Sequence, residues 1–209
     1  MVFGAILAGG KGTRMGIDKP KQFLMLGSRP IIIHTIEKFI LSPDIDEIYV
    51  GVHPDWIDYT EDLIKKYIDS DKNIILVPGG TDRNSTIFNI IDEIEKRNGD
   101  DEDNIIVTHD SVRPFVTLRI IGENVEMAKE CGAVDTVISA VDTIVVSEDG
   151  EKITSIPDRR QMFQGQTPQT FKISKLKELY NDLSDDEKEI LTDAVSYTHL
   201  RAHETTLHL

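Results

Sequence analysis

The sequence predicts an α/β fold: a mostly parallel sheet with helices on both faces and a protruding β-hairpin arm. Apolar runs rich in β-branched residues alternate with segments whose apolar residues recur at helical spacing. The runs are continuously apolar, which is typical of strands buried on both faces. One pair of β-rich segments joined by an acidic turn interrupts the alternation and predicts the arm. With 209 residues, the chain is long enough to bury one substantial core.

Five segments are predicted to be strands of the sheet. In chain order they are VFGAIL (2–7), EIYVGV (47–52), NIILV (73–77), NIIVTH (104–109) and AVDTVISAV (133–141). Ligands of open parallel sheets bind outside the carboxyl ends of the strands, near a switch in strand order. A functional site is therefore expected in the loops that follow these strands.

Helices are predicted between the strands. Isoleucines at i, i+3, i+4 and i+7 begin at Ile87, and a second helical pattern runs from Ile121 until Gly132 ends it. The segment SDDEKEIL (184–191) begins like a capped helix.

The predicted arm covers about residues 140–160. The stretch DTIVVSEDGEKITSIP reads as two strands joined by a turn at Asp149 and Gly150. Two interpretations are open at this point. The hairpin is either an ordinary surface feature or an arm that joins two copies of the chain.

Charge and cysteine content limit the function classes. The chain has 23 basic and 37 acidic residues, a formal net charge of −14, which argues against electrostatic capture of nucleic acid or an anionic membrane. The sequence has neither an apolar run of membrane-spanning length nor a signal-peptide pattern at its start. A single cysteine, Cys131, excludes an intrachain disulfide framework and favours a reducing compartment. We expect a cytoplasmic protein without nucleic-acid or membrane partners.

The first predicted strand leads into the glycine-rich stretch LAGGKGTRMG (7–16). Glycines allow close backbone approach, so N–H groups of such a loop can surround a phosphate. The spacing matches neither the P-loop nor the GxGxxG fingerprint. Arg14, Lys19 and Lys21 place cations where a triphosphate would lie. This combination favours a phosphoryl- or nucleotidyl-transfer site over the alternative, a glycine-rich turn with solvated lysines.

Four motifs resemble the cytidylyltransferases that activate polyol phosphates with CTP. They are LAGGKGTRMG followed by DKPKQF, then GGTDRNST, VTHDSVRPF and QGQTPQTF. They stand in the family's order across nearly the whole chain as far as Ala194. The resemblance implies a Rossmann-like fold of the nucleotidyltransferase type in a domain at 1–194. It also implies in-line attack of a polyol phosphate oxygen on the α-phosphorus of CTP, with pyrophosphate leaving.

Two branches of this family come into question. Lys11 and Thr13 after the double glycine, together with GTDRN and THDSVRPF, favour the D-ribitol 5-phosphate branch, whose product CDP-ribitol serves teichoic acids and related glycans. The alternative branch acts on 2-C-methyl-D-erythritol 4-phosphate in isoprenoid synthesis. Relatives that act on sugar phosphates or molybdenum cofactor, and a non-catalytic nucleotide-binding module, remain further alternatives.

The resemblance assigns roles to individual residues. Arg14 and Lys21 match the catalytic pair, which neutralises phosphate charge, and Asp110 matches a contact to ribose and to Mg²⁺, the expected cofactor. The attacking phosphate is already anionic and needs no base, so His109 is expected to be structural. Arg113 is expected either to order this loop or to face substrate. Besides Asp110, the implied nucleotide-binding residues are Leu7, Ala8, Gly9, Gly10, Gly12, Thr13, Gly79, Gly80, Asp82 and Ser85.

The polyol phosphate is expected to contact Thr143, Arg159, Thr167 and Thr192, which match family positions. Adjacent arginines make Arg160 an alternative to Arg159. In the family, the arm residues come from the neighbouring subunit. The resemblance therefore implies a homodimer formed through the arm.

The family pattern stops after LTDA (191–194). The remaining stretch, VSYTHLRAHETTLHL (195–209), resembles the translation of a transposase sequencing adapter, and we predict that it is a non-native tail. The domain at 1–194 is then expected to lack a substrate-binding lysine and the closing elements of the sheet.

Overall fold

A computed structural model describes residues 1–10 and 19–183 in full and the backbone of residues 205–206. The main sheet contains β1 (Val2–Ala8), β4 (Glu47–Val52), β5 (Ile74–Pro78), β6 (Ile105–Asp110), β7 (Ala133–Ser139), β8 (Phe163–Lys172) and β9 (Thr205–Thr206). A separate ribbon consists of β2 (Met25–Leu26) and β3 (Arg29–Pro30). The helices are α1 (Ile31–Leu41), α2 (Ile57–Tyr67), α3 (Arg83–Asn98), α4 (Leu118–Cys131) and α5 (Ile173–Asp182). Within these described ranges, every helix is too short or too polar to cross a membrane.

The strand order places a crevice beside β1. Across the sheet the order is β5, β4, β1, β6, β8, β7, β9. β1 pairs in parallel with β4 on one side and with β6 on the other, whereas β8 runs antiparallel to β6 and β7. The chain builds β4 and β5 on one side of β1 and then returns to its other side with β6. The switch in strand order therefore lies between β1 and β6, where ligands of such sheets bind.

Apolar helix faces cover both sides of the sheet, as predicted. α1 and α4 contribute Ile32, Ile36 and Ile121 to one core, which lies against β1 and β4. On the opposite face, α3 contributes the four isoleucines whose spacing predicted it, Ile87, Ile90, Ile91 and Ile94. α4 ends at Gly132, which has a φ of +84°, a conformation that favours glycine.

β8 is a central strand that the sequence analysis missed. Its sequence, FQGQTPQTFK, contains a glycine, a proline and several polar residues instead of an apolar run. Gln169 and Thr170 are nevertheless buried, because β6 and β7 pair with the strand on both sides. The ladder with β7 shifts its register between Asp135 and Val137, near Pro168, which has no N–H to donate.

The arm at 140–160 forms an exposed hairpin at the predicted turn. One antiparallel bridge joins Val146 and Ser155, and the Val146 N–H donates to the Ser155 carbonyl at 2.9 Å. The pairing is less extensive than predicted, since the arm lies on no core: Val141 is 79% exposed and Ile156 is 63% exposed. The helix predicted at 184–191 lies outside the described residues. β9 falls in the segment predicted to be non-native, and the origin of that segment stays a prediction.

Candidate active site

A cleft of about 670 Å³ opens at the carboxyl ends of β1 and β6. The end of β1 forms its floor, and the first turn of α3 and the loop after β6 form its sides. The structure brings most predicted nucleotide-binding residues together here. The predicted residues that line the cleft are Leu7, Ala8, Gly9, Gly10, Lys21, Gly80, Asp82 and Asp110.

A buried glutamine holds the base of the glycine-rich loop. Gln22 is only 4% exposed. Its Nε2 donates to the carbonyl oxygens of Ala8 at 2.9 Å and Gly10 at 3.3 Å. The next residue, Phe23, is anchored against Trp56, with ring centroids 5.1 Å apart. These contacts fix the short 3-10 turn that places Lys21 at the cleft. The other loop residues predicted to act here, Gly12, Thr13 and Arg14, lie outside the described residues.

Gly9 and Gly79 pack backbone against backbone. A Cβ atom added to Gly79 would lie 3.3 Å from the Cα atom of Gly9, so a side chain there would force the loops apart. A Cβ atom on Gly80 would lie 2.9 Å from the carbonyl carbon of Ser85. Glycine at 79 therefore favours the close approach of the loop after β5 to the end of β1, and glycine at 80 leaves room for Ser85 at the start of α3.

Asp82 and Ser85 form a capping box at the start of α3. The Ser85 N–H donates to Asp82 Oδ1 at 2.8 Å, and the Asp82 N–H donates to Ser85 Oγ at 3.0 Å. Burial alone would raise the Asp82 pKa, but hydrogen bonds from Ser85 and Thr81 hold that pKa below its usual value. Asp82 lines the cleft, whereas Ser85 is not among its lining residues. A direct contact of Ser85 with a nucleotide stays a prediction.

Asp110 stands between two arginines. Arg83 Nη1 donates to Asp110 Oδ1, and Arg113 Nε donates to Asp110 Oδ2 at 2.7 Å. Burial alone would raise the Asp110 pKa, but the two guanidinium groups hold it below its usual value. Arg113 also donates to Gln166 Oε1 at 2.8 Å and lines the cleft. Arg113 therefore orders this loop, and it lines the cleft; a contact of Arg113 with substrate stays a prediction.

His109 lies beneath this loop as a structural residue. His109 is 1% exposed, and its ring centroid lies 5.5 Å from that of Phe39. Its Nε2 atom is 3.0 Å from the Arg113 carbonyl oxygen. Burial lowers the pKa of His109 to about 4, so the ring is neutral at pH 7 and Nε2–H donates to that carbonyl. This geometry supports the expected structural role.

The predicted polyol-phosphate residues fall in different places. Thr167 is next to Asp110, whose N–H donates to Thr167 Oγ1 at 3.5 Å, and it lines an adjoining pocket of about 350 Å³. Thr143 and Arg159 are exposed on the arm and do not line the cleft of their own chain. Arg159 Nη1 instead donates to the Val141 carbonyl at 2.8 Å. Thr192 lies outside the described residues.

Comparison with known proteins identifies the family. The profile of the IspD family, 2-C-methyl-D-erythritol 4-phosphate cytidylyltransferase, matches residues 2–204. The chain is 55% identical over 196 residues to a ribitol-5-phosphate cytidylyltransferase of Streptococcus pneumoniae, covering 93% of this chain and 83% of that one. It belongs to this family of cytidylyltransferases.

Solved structures support the fold of this cytidylyltransferase. The 2-C-methyl-D-erythritol 4-phosphate cytidylyltransferase of Francisella tularensis matches with a TM-score of 0.76 and 24% identity, covering 96% of this chain and 88% of that one. The 4-diphosphocytidyl-2C-methyl-D-erythritol synthase of Anaerococcus prevotii matches with a TM-score of 0.72 and 24% identity, covering 98% and 84%. The predicted nucleotidyltransferase-type fold is confirmed.

Within the described part of the cleft, Asp110 is the carboxylate that the family resemblance assigns to a cation. Among the described residues, no group of three or more His, Cys, Asp and Glu side chains could hold a metal ion. A carboxylate has about four lone-pair sites, and Arg83 and Arg113 occupy only part of this capacity at Asp110. Mg²⁺ at phosphate-transfer sites commonly uses one or two carboxylates together with substrate phosphates. Asp110 therefore fits a cation that arrives with the nucleotide.

Two residues of the cytidylyltransferase site were missed by the sequence analysis. Gln22 and Arg83 both line the cleft and contact backbone or side chains that shape it. Both stand inside motifs that carried the resemblance, PKQF and GTDRN. Their sequence signal is weaker than that of Arg14, Lys19 and Lys21, because an amide and an arginine at a helix start are less typical of a phosphate loop than cations that follow its glycines.

Proposed function

We propose that this enzyme transfers a cytidylyl group from CTP to D-ribitol 5-phosphate, giving CDP-ribitol and pyrophosphate. The observation that carries the choice of acceptor is the 55% identity, over 93% of the chain, to a relative named for that substrate. The two solved relatives described above, both named for the methylerythritol compound, are each 24% identical to this chain, and their likeness supports the fold alone. The methylerythritol acceptor is thus the second candidate.

The cleft supports a mechanism based on position and charge. The acceptor's phosphate oxygen attacks the α-phosphorus of CTP in line with the departing pyrophosphate, so no nucleophile from the protein is needed. Lys21 and, from its place in the loop sequence, Arg14 neutralise charge that accumulates on the phosphates. Gly9 and Gly10 line the cleft at the end of β1, where we propose that backbone N–H groups bind the triphosphate.

Asp110 is the residue we propose to hold Mg²⁺, which supplies positive charge to the phosphates when it is bound. The low pKa of its carboxyl group keeps the residue anionic across neutral pH. Thr167 and Arg113 line the adjoining pocket of about 350 Å³, and we propose that the acceptor binds there.

Pyrophosphate release tests the reaction and the acceptor together. The purified chain is given CTP and Mg²⁺ with either D-ribitol 5-phosphate or 2-C-methyl-D-erythritol 4-phosphate. We expect release with the ribitol compound; release only with the methylerythritol compound would establish the second candidate, and release with neither by a chain that also binds no CTP would contradict both.

Lys21→Ala is the active-site variant for this assay. Loss of a charge-assisted donor to the transition state is expected to lower turnover about 10²–10³-fold. Lys65→Ala is a matched control, because Lys65 is exposed on α2 and pairs with Glu61 at 2.9 Å. Near-normal turnover of Lys21→Ala would contradict the role assigned to Lys21.

We also propose that the enzyme works as a homodimer joined through the arm. Val141, Ile153 and Ile156 expose apolar side chains there, and Thr143 and Arg159 do not reach the cleft of their own chain. Such an exposed apolar arm is suited to packing on a second subunit. A cytoplasmic location, favoured by the single cysteine, and supply of CDP-ribitol for teichoic-acid-like glycans complete the proposal.

A further inference from the structure

A row of hydrogen bonds runs from the interior of the sheet to the Asp110 carboxylate. Gln169 Nε2 donates to Asp135 Oδ1 at 3.1 Å, and Arg83 Nη2 donates to Gln169 Oε1 at 3.5 Å. The same guanidinium donates through Nη1 to Asp110 Oδ1. One arginine at the start of α3 thus connects the cleft to β7 and β8.

Asp135 and Gln169, the two members of this row farthest from Asp110, do not line the cleft. Gln169 is 5% exposed on β8, and Asp135 lies opposite it on β7 in the strand register. The Gln169 backbone is fixed as well, because Thr108 Oγ1 donates to its carbonyl oxygen at 3.0 Å. These contacts suit a supporting role better than contact with substrate.

The two different ends of the Gln169 amide fix its orientation between Asp135 and Arg83. A glutamine side chain has a donor end and an acceptor end, and only the acceptor end can receive a guanidinium N–H. Since Asp135 accepts from the Nε2 end of Gln169, the Oε1 end faces Arg83. Without Asp135, the amide could rotate and present its NH₂ group to Arg83, which would leave two donors facing each other.

We propose that Arg83 is a positioning residue that fixes the Asp110 carboxylate for the nucleotide-bound cation, and that Asp135 and Gln169 orient Arg83 for this task. This inference rests on the proposed function, because it concerns how the same cleft takes up CTP with Mg²⁺. Groups that orient a ligand of a cation typically change its affinity or the activity 10–100-fold when they are replaced.

CTP binding measured by calorimetry, once with Mg²⁺ and once with EDTA, tests the inference without turnover. The ratio of the two dissociation constants gives the gain in CTP affinity that depends on Mg²⁺. We expect Arg83→Gln to reduce this gain about tenfold, and Asp135→Ala to reduce it by a smaller factor. Arg83→Lys, which keeps the charge but not the two-pronged guanidinium, is expected to restore part of it.

The double variant separates positioning from general stability. If Asp135 acts through Arg83, Asp135→Ala should have no further effect on the Mg²⁺-dependent gain in the Arg83→Gln background. Its effect on the melting temperature should persist in both backgrounds. Arg97→Gln is the matched control and should keep the wild-type gain. Arg97 stands at the other end of α3, where its Nη1 lies 3.7 Å from Glu93 Oε1.

Several results would overturn the inference. Equal weakening of CTP binding with Mg²⁺ and with EDTA in Arg83→Gln would show that Arg83 contacts the phosphates directly. Additive effects in the double variant, or the same gain in every protein, would remove the positioning role. A wild-type chain that binds no CTP would overturn the proposed function itself and this inference with it.

Discussion

At the scale of single residues, the Gln22 side chain fixes the first residues of the glycine-rich loop through hydrogen bonds to their backbone. Its buried amide holds two carbonyl oxygens, those of Ala8 and Gly10, at 2.9 and 3.3 Å. A loop that surrounds phosphate must turn its N–H groups towards the ligand, so its carbonyl groups need donors on the other side. Gln22 supplies such a donor to two of them.

Replacement of Gln22 by glutamate should weaken CTP binding and lower the melting temperature. A carboxylate cannot donate to the two carbonyl oxygens, and leaving buried partners unsatisfied costs about 1–3 kcal/mol. Calorimetric titration with CTP and thermal unfolding measure the two effects. Gln161→Glu, at an exposed position, is the control. Wild-type CTP affinity in Gln22→Glu would mean that the loop does not depend on this amide.

His109 makes folding stability depend on pH. Its pKa in the folded protein is about 4 because of burial, below the value of 6.5 for a free histidine. Between these values the unfolded chain binds a proton that the folded chain does not, so stability is lost as the pH falls from about 6.5 to about 4. This one residue accounts for a loss of about 3 kcal/mol. NMR titration of the ring measures the pKa, and a midpoint near 6.5 would refute the prediction.

At the scale of elements, the first turn of α3 combines a helix cap with a wall of the cleft. Asp82 accepts from Ser85 N–H as the N-cap, and its neighbour Arg83 reaches Asp110. α4 offers a comparison, because its N-cap, Thr117, accepts from Ile120 N–H at 3.2 Å and does not line the cleft. The two caps should therefore have similar effects on stability and different effects on binding.

The paired variants Asp82→Ala and Thr117→Ala test this difference. Each should reduce the free energy of unfolding by about 1 kcal/mol, the usual worth of an N-cap side chain. Only Asp82→Ala should also weaken CTP binding, because it loosens the turn that carries Arg83 and Gly80. Denaturant titration and calorimetry supply the two measurements. Equal CTP affinities in the two variants would show that the Asp82 cap does not contribute to CTP binding.

At the scale of the whole molecule, the proposed homodimer predicts that the arm of one chain completes the site of the other. Chains carrying Lys21→Ala have a defective cleft and an intact arm, whereas chains carrying Arg159→Ala have the reverse. Each variant alone should be nearly inactive in pyrophosphate release. After mixing and subunit exchange, half of the dimers should contain one intact site, which restores about a quarter of wild-type activity.

The mixing experiment needs an independent measure of assembly. Sedimentation velocity should show a dimer for the wild type and for both variants. Ile156→Asp, which places a charge on the exposed apolar arm, should shift the protein towards the monomer and lower activity in parallel. A fully active monomer, or a mixture that regains no activity, would refute completion of the site across the dimer.

The sequence by itself determined the parallel core, the helices α3 and α4 and the location of the site. Continuous apolar runs and isoleucines at helical spacing are local patterns, and glycines followed by cations mark a phosphate loop wherever the chain places it. The tertiary structure alone decided what these patterns cannot encode. β8 is polar in sequence and becomes a central strand because β6 and β7 pair with it. Arg83 meets Asp110, 27 residues away in sequence, only because the strand order brings the ends of β5 and β6 to the two sides of one crevice.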